Sequence, residues 1–123
     1  MRNYRDIQVW QRSHQLTLTI YKMIESFPAS EQYALTSQMK RAAYSVPMNI
    51  AEGCGKSSEA DFVRFLEIAS GSASELDYQL VLVRDLGYID ENQYEQFLNE
   101  LIEIRKMLTT FIKQVRKRLN PKS

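Results

Sequence analysis

Hydrophobic residues recur at steps of three and four along almost the whole chain, a spacing that is typical of amphipathic helices. Turn-forming residues interrupt this pattern and divide the chain into helices predicted at about residues 6–26, 30–52, 58–87 and from 90 onward. No segment shows the alternation of a strand pair, and the connections are short, so neighbouring helices should be antiparallel. The predicted fold class is all-α: an up-down-up-down, left-handed four-helix bundle that occupies residues 1–123 as a single domain.

Capping residues mark the predicted helix ends. Side chains that can accept a hydrogen bond from the first turn stand before three helices: Ser30, Ser58 with Asp61, and Asp90 with Gln93. Glycine is favoured just beyond a helix because it tolerates positive φ, so we predict that Gly53 ends the second helix and Gly87 the third. The small residues at 69–74, around Gly71, are expected to allow close approach of a neighbouring backbone.

The second predicted helix contains an interior proline and a stripe of polar residues. Pro47 removes a backbone N–H and costs about 3 kcal/mol unless tertiary packing offsets it, so we expect a kink held by neighbouring contacts. The polar stripe follows at helical spacing: Gln38, Arg41, Ser45, Asn49 and Glu52. We predict a structural network in a helix or subunit contact, in which Arg41 pairs with Glu75 or Glu52. Asn49 should bind the backbone that Pro47 frees. A phosphate or carboxylate site is the alternative interpretation.

The last predicted helix has a wider apolar face than one intramolecular seam requires. Its main row repeats at steps of three and four from Tyr94 to Val115. A second row widens this face: Leu98, Ile102, Ile112 and Leu119. The surplus predicts self-association, and the first helix, which has two apolar stripes, is the second candidate for the interface.

Composition excludes several classes of protein. With 16 Lys and Arg against 15 Asp and Glu, the net charge of +1 argues against a nucleic-acid binder that is basic over its whole surface. A single cysteine, Cys54, excludes an internal disulfide and a multi-cysteine zinc site, and it fits a reducing compartment. No segment contains about 18 consecutive uncharged apolar residues, so the sequence predicts no membrane span. We therefore expect a soluble, unprocessed cytoplasmic protein with no membrane contact.

No pattern of residues predicts a catalytic site, a cofactor or a metal. The single histidine, His14, cannot supply the two Glu-x-x-His motifs of a di-iron bundle, and we expect it to pack partly buried beside Trp10. The Gly-Lys-Ser sequence that ends at Ser57 lacks the first glycine and the preceding strand of a phosphate-binding loop. A Cys54–His14 nucleophile pair lacks a group to orient the histidine. We predict no enzymatic activity and no small-molecule substrate.

Charge is sorted along the last third of the chain. Six acids and no base lie between Asp85 and Glu103, whereas seven bases and no acid lie between Arg105 and Lys122. In an up-down bundle this basic end lies beside the start of the first helix and the loop after the second. The residues predicted to form a basic pole that contacts nucleic acid are Arg2, Arg5, Lys56, Lys113, Arg116, Lys117 and Arg118. The alternative is a solvated face that only complements the helix dipole.

Two segments resemble a known family. Residues 41–53, RAAYSVPMNIAEG, and residues 62–76, FVRFLEIASGSASEL, resemble the four-helix bundle proteins encoded in intervening sequences of 23S ribosomal RNA genes. The similarity extends from DIQVWQ at residues 6–11 through LGYI at 86–89 to the last helix. It implies a bacterial homopentamer with no established enzymatic activity. The chain also resembles the accessory proteins of diversity-generating retroelements, pentameric barrels that associate with a reverse transcriptase and nucleic acid.

The pattern and the resemblance together favour an interaction protein. We expect a non-catalytic bundle that assembles with itself into a ring, implied to be a pentamer, and serves as an adaptor for RNA or a nucleic-acid-processing protein through its basic pole. The alternative is a purely structural or protein-binding oligomer that has no contact with nucleic acid.

Overall fold

A computed structural model describes residues 2–119 of the chain. Its four α-helices are α1 (Gln8–Ile24), α2 (Leu35–Cys54), α3 (Glu59–Asp85) and α4 (Glu91–Leu119), with 3₁₀ turns at Tyr4–Asp6 and Ala29–Glu31. Each helix packs against the next, and α1 also contacts α4, which closes the bundle. The all-α four-helix fold class is therefore confirmed, and no strand occurs between residues 2 and 119. The left-handed sense and the kink at Pro47 stay predictions, as does the single domain over residues 1–123.

Contacts between α3 and α4 show that these helices are antiparallel. Near the start of α3, Glu67 pairs with Arg116 near the end of α4, whereas Asp77 further along α3 pairs with the earlier Arg105. The interior is mainly apolar, and the buried polar residues of the described range are Ser13, Thr17, Asn49 and Gln79. Its fully buried large side chains are Ile20, Met39, Ile50, Phe62, Leu66, Leu76, Leu80, Val83, Leu101, Ile104, Leu108 and Val115. Burial of each such side chain contributes about 1.5–3 kcal/mol.

Three of the predicted helix ends are confirmed. The Ser58 hydroxyl accepts a hydrogen bond from the Asp61 N–H at 3.1 Å. Asp90 and Gln93 form a reciprocal capping box, with each side chain accepting from the other residue's N–H at 2.7 and 3.0 Å. Gly87 follows α3 with φ of 79°, a left-handed conformation that favours glycine. These ends depend on hydrogen bonds between residues three to five positions apart.

The predicted start of α2 is wrong. Ser30 lies in the Ala29–Glu31 turn, and α2 begins five residues later at Leu35 without a side-chain cap. A tertiary contact holds this turn, since the Tyr88 hydroxyl donates to Glu31 Oε2 at 2.9 Å. The connection between α1 and α2 is consequently longer than the sequence indicated.

The prediction that Gly53 ends α2 is wrong, because Gly53 lies inside the helix, one residue before its end at Cys54. A Cβ atom on Gly53 would lie 2.9 Å from the Cβ of Phe65 and 3.0 Å from Cδ1 of Phe62. Glycine is therefore required here by the close approach of α3. The small residues at 69–74 were also expected to allow such an approach, but a Cβ on Gly71 would meet no atom within 4 Å. Ala69 and Ala73 of the same segment are fully buried, as expected of small residues that face a neighbouring helix.

The helix α2 continues through Pro47, which is buried. A proline has no N–H, so the Ala43 carbonyl one turn earlier loses its usual helical donor. The hydroxyl of Thr17 in α1 lies 3.0 Å from this carbonyl oxygen and 2.8 Å from that of Ser13, so its single proton is shared. Asn49 was predicted to bind the backbone that Pro47 frees. This prediction is wrong, because the side-chain amide of Asn49 donates to the Ser45 carbonyl at 2.7 Å.

Candidate nucleic-acid interface

The N-terminal segment, the α2–α3 loop, the start of α3 and the end of α4 meet at one end of the bundle. The Arg2 guanidinium donates to both carboxylate oxygens of Glu59 at 2.9 and 2.8 Å, and lies 4.1 Å from the ring centroid of Phe62. Phe62 in turn contacts the ring of Phe111 in α4. The structure thus brings together the segments that carry the seven predicted basic residues. We call this end the basic pole.

Two of the seven predicted cations are paired with carboxylates of α3. Arg2 binds Glu59, and Arg116 Nη2 lies 2.8 Å from Glu67 Oε2. The Arg2 hydrogen bonds lower the pKa of Glu59, burial of the carboxylate opposes this effect, and the charge of Arg118 reinforces it. Arg118 therefore lies near the same pair. Sequence reasoning missed these pairings because each partner is distant along the chain.

The other five cations are exposed and form no salt bridge with another residue of 2–119: Arg5, Lys56, Lys113, Lys117 and Arg118. Arg5 lies 4.5 Å from the ring centroid of Tyr4, and Lys56 lies 5.1 Å from that of Phe65. Both contacts leave the positive charge at the surface. The pole can therefore bind phosphates with these cations without first breaking an ion pair. Lys122, the last base of the sequence pattern, lies outside the described residues.

A file of stacked side chains begins at the basic pole and follows the surface of α1. Arg5 lies over Tyr4, the Tyr4 ring meets Trp10 edge-on at 4.8 Å, and Trp10 stacks parallel to His14 at 5.0 Å with an angle of 8°. Tyr4 and Trp10 are half-buried, whereas His14 is exposed. Packing beside Trp10 is as predicted, but the partial burial of His14 is wrong, since the imidazole covers the outer side of the indole. We call these four residues the α1 stack.

The polar stripe of α2 lines a groove of about 660 Å³ between α2 and α3. Gln38, Arg41, Ser45, Asn49 and Glu75 all line it, but Glu52 does not. The predicted Arg41 pairing is wrong within one chain, because Arg41 forms no salt bridge to any residue of the described range. Arg41, Glu75 and Glu52 are exposed and remain solvated, and only Asn49 of the stripe is buried.

The same groove carries exposed apolar side chains. Tyr44, Met48 and Ile68 line it and are 39, 49 and 43% exposed. The surplus apolar row predicted on α4 is smaller than expected, because Ile112 is buried and Leu98 packs against the core. On α4, Ile102 and Leu119 remain exposed. The α2–α3 groove therefore exposes three large apolar side chains, against two in the predicted outer row of α4.

The remaining candidates for chemistry are the single cysteine and the titratable groups. Cys54 is buried, and burial raises the pKa of its thiol although the charge of Arg2 acts in the opposite direction. No hydrogen bond joins it to the exposed His14. No three His, Cys, Asp or Glu side chains of residues 2–119 lie close enough to hold a metal ion. None of the helices in that range is long and apolar enough to cross a membrane.

Comparison with known proteins agrees with this architecture. Residues 5–110 match the family described as 23S rRNA-intervening sequence protein. The fold is similar to the crystal structure of a protein of unknown function from the S23 ribosomal protein family of Bacteroides thetaiotaomicron VPI-5482, with a TM-score of 0.79 and 31% identity over 85% of this chain and 95% of that one. Among curated proteins none is significantly similar. The chain therefore belongs to the family of 23S rRNA-intervening sequence proteins.

Proposed function

We propose that this protein is a non-catalytic, self-assembling adaptor that contacts RNA through its basic pole. The observation that carries the proposal is the convergence of exposed cations without carboxylate partners from three separate segments: Arg5, Lys56, Lys113, Lys117 and Arg118. A solvated face that only complements the dipole of α4 requires neither Arg5 nor Lys56, because neither belongs to that helix.

The charge distribution favours contact with the phosphate backbone. Lysine and arginine side chains at a helix end neutralise phosphates without reading base edges, so binding should show little sequence preference. A cyclic assembly would repeat the pole around its axis and concentrate positive potential although one chain carries a net charge of only +1. A nearly neutral chain would in this way attract a polyanion once it is assembled.

Binding of a fluorescently labelled RNA at about 50 and 200 mM salt tests the proposal, because each phosphate contact to a single strand contributes about −0.7 to the slope of log K against log salt. Lys117→Glu with Arg118→Glu should weaken binding and reduce the slope. Lys22→Glu with Lys40→Glu is the matched control, since it changes the charge equally near the other end of the bundle. No RNA binding at about 50 mM salt by the wild-type assembly would contradict the proposal.

The α2–α3 groove supports self-assembly. It combines exposed apolar side chains with Arg41 and Glu75, opposite charges that form no salt bridge within residues 2–119 of one chain. A second copy of the chain can cover the apolar surface and pair these charges across the contact. The stoichiometry implied by the family resemblance is five. Light scattering should therefore give five times the mass of the chain, and Met48→Asp should lower that mass whereas Tyr33→Asp, at a residue 91% exposed, should not.

The same groove favours the second candidate function, a structural or protein-binding oligomer without nucleic-acid contact. RNA binding by the intact assembly distinguishes the two functions. An assembly that keeps its mass but binds no RNA at low salt supports the second.

A further inference from the structure

The α1 stack runs from Arg5 at the basic pole to an open end at His14. His14 lies parallel to Trp10 and is exposed, and no other ring among residues 2–119 contacts its outer face. At the other end, Arg5 holds its guanidinium over Tyr4 and forms no salt bridge with another residue of that range. The stack therefore carries a cation available to phosphate at one end and an uncovered aromatic face at the other.

Burial alone does not account for this arrangement. An exposed imidazole placed against an indole removes little apolar surface from water, so its contribution to folding through the hydrophobic effect is small. The parallel geometry, with 8° between the rings, instead extends the indole by one further planar ring toward solvent. A planar ligand can continue such a file of rings.

We infer that the α1 stack is a stacking platform for the bases of single-stranded nucleic acid, which makes a single strand, in preference to a duplex, the ligand of the basic pole. The inference rests on the proposed function, since the cations of the pole hold the backbone while a base stacks on the ring file. Stacking of a base on an aromatic side chain contributes about 1–3 kcal/mol and tolerates any sequence. Bases of a duplex are already stacked on their neighbours, so a duplex gains only the phosphate contacts.

The chain contains one tryptophan, so intrinsic indole fluorescence reports on the α1 stack alone. We expect single-stranded oligo(U) to change the emission of Trp10 in a saturable way at about 50 mM salt, and a duplex RNA of equal length to leave it unchanged. Oligo(U) should also bind about tenfold more tightly than the duplex, in line with one stacked base.

Two variants separate stacking from phosphate binding. Trp10→Leu with His14→Ala removes both platform rings and should abolish the preference for oligo(U) while leaving duplex binding within about twofold of the wild type. His14→Phe keeps a ring and should retain the preference. Tyr33→Ala is the control, since this residue is the most exposed aromatic among the described residues and belongs to the α1–α2 connection.

The outcomes distinguish the platform from the proposed function. Equal binding of oligo(U) and duplex without a change in Trp10 emission overturns the platform but leaves the proposed function intact, whereas no binding of either RNA overturns both. A preference that survives in the double variant, or an equal loss of both ligands in it, contradicts the platform. If the double variant does not fold, wild-type fluorescence and His14→Phe decide.

Discussion

The hydroxyl of Thr17 in α1 lies 3.0 Å from the carbonyl oxygen of Ala43 in α2, the carbonyl that Pro47 leaves without a helical donor. Thr17 is buried, so water cannot replace it readily as the partner of this oxygen. The contact ties the helix that contains the proline to the helix beside it. It thereby offsets part of the free energy that an interior proline costs.

Replacement of Thr17 by valine should destabilise the protein by about 1–3 kcal/mol, because the shape is kept but a buried carbonyl loses its donor. Pro47→Ala restores an N–H to α2, so Thr17→Val should cost less in that background. A double-mutant cycle measured by denaturant unfolding checks the coupling. Thr19→Val is the control, since Thr19 is an exposed residue whose hydroxyl donates only within α1. Equal costs in both backgrounds would show that Thr17 does not serve the proline.

Substitution of Gly53 and of Gly71 by alanine should change the stability of the protein in opposite directions. Gly53→Ala places a methyl group 2.9 Å from the Cβ of Phe65 and should destabilise by about 1–3 kcal/mol through overpacking. Gly71→Ala meets no atom within 4 Å and should stabilise α3 by about 1 kcal/mol through helix propensity. Thermal melting of both variants checks the contrast. A stabilising Gly53→Ala would mean that α3 can move away without loss of packing.

Arg41→Ala should change the stability of a single chain by no more than about 0.5 kcal/mol, because Arg41 is exposed and forms no salt bridge within the described residues. Removal of one partner from a buried ion pair would instead cost about 3–5 kcal/mol. In the assembly the variant should instead raise the dissociation constant between subunits. Thermal melting should be measured below and above the protein concentration at which the assembly dissociates. This separates the effect of the variant on a single chain from its effect on the contact between subunits.

Acid should remove the contribution of the Arg2–Glu59 pair. The pKa of Glu59 is lower in the folded protein, so the pair stabilises fully above the unfolded value of about 4.3 and this contribution is lost as pH falls through the folded value. Glu59→Gln should therefore lower the melting temperature at pH 7, and the difference from the wild type should shrink as pH falls below about 4.3. If the difference in melting temperature between the wild type and Glu59→Gln stayed constant with pH, the ion pair would not be its cause. Low salt is required, because both side chains are partly exposed.

The basic pole was only partly predictable. Antiparallel helices place the end of α4 beside the start of the chain, so the sequence sufficed to bring Arg2 and Arg118 to one end of the bundle. It did not indicate that Arg2 binds Glu59 or that Arg116 binds Glu67, because such pairs depend on how far one helix is shifted along another. Pentameric assembly, cytoplasmic location and the relation to diversity-generating retroelements stay predictions.

Local features were determined by the sequence alone. The cap at Ser58, the box of Asp90 with Gln93 and the left-handed Gly87 follow from hydrogen bonds within one turn, so neighbouring residues decide them. The apolar spacing likewise determined four helices and most of the core, since burial of a regular stripe is the dominant favourable term in folding.

Features that couple distant segments were decided only by the tertiary structure. The turn before α2 accepts a hydrogen bond at Glu31 from Tyr88, which lies 57 positions later in the chain. The partner of the Ala43 carbonyl comes from α1 and not from the neighbouring Asn49. Spacing along one helix indicates which face of that helix a residue occupies. The atom that its side chain contacts depends on how the neighbouring helix is rotated and shifted.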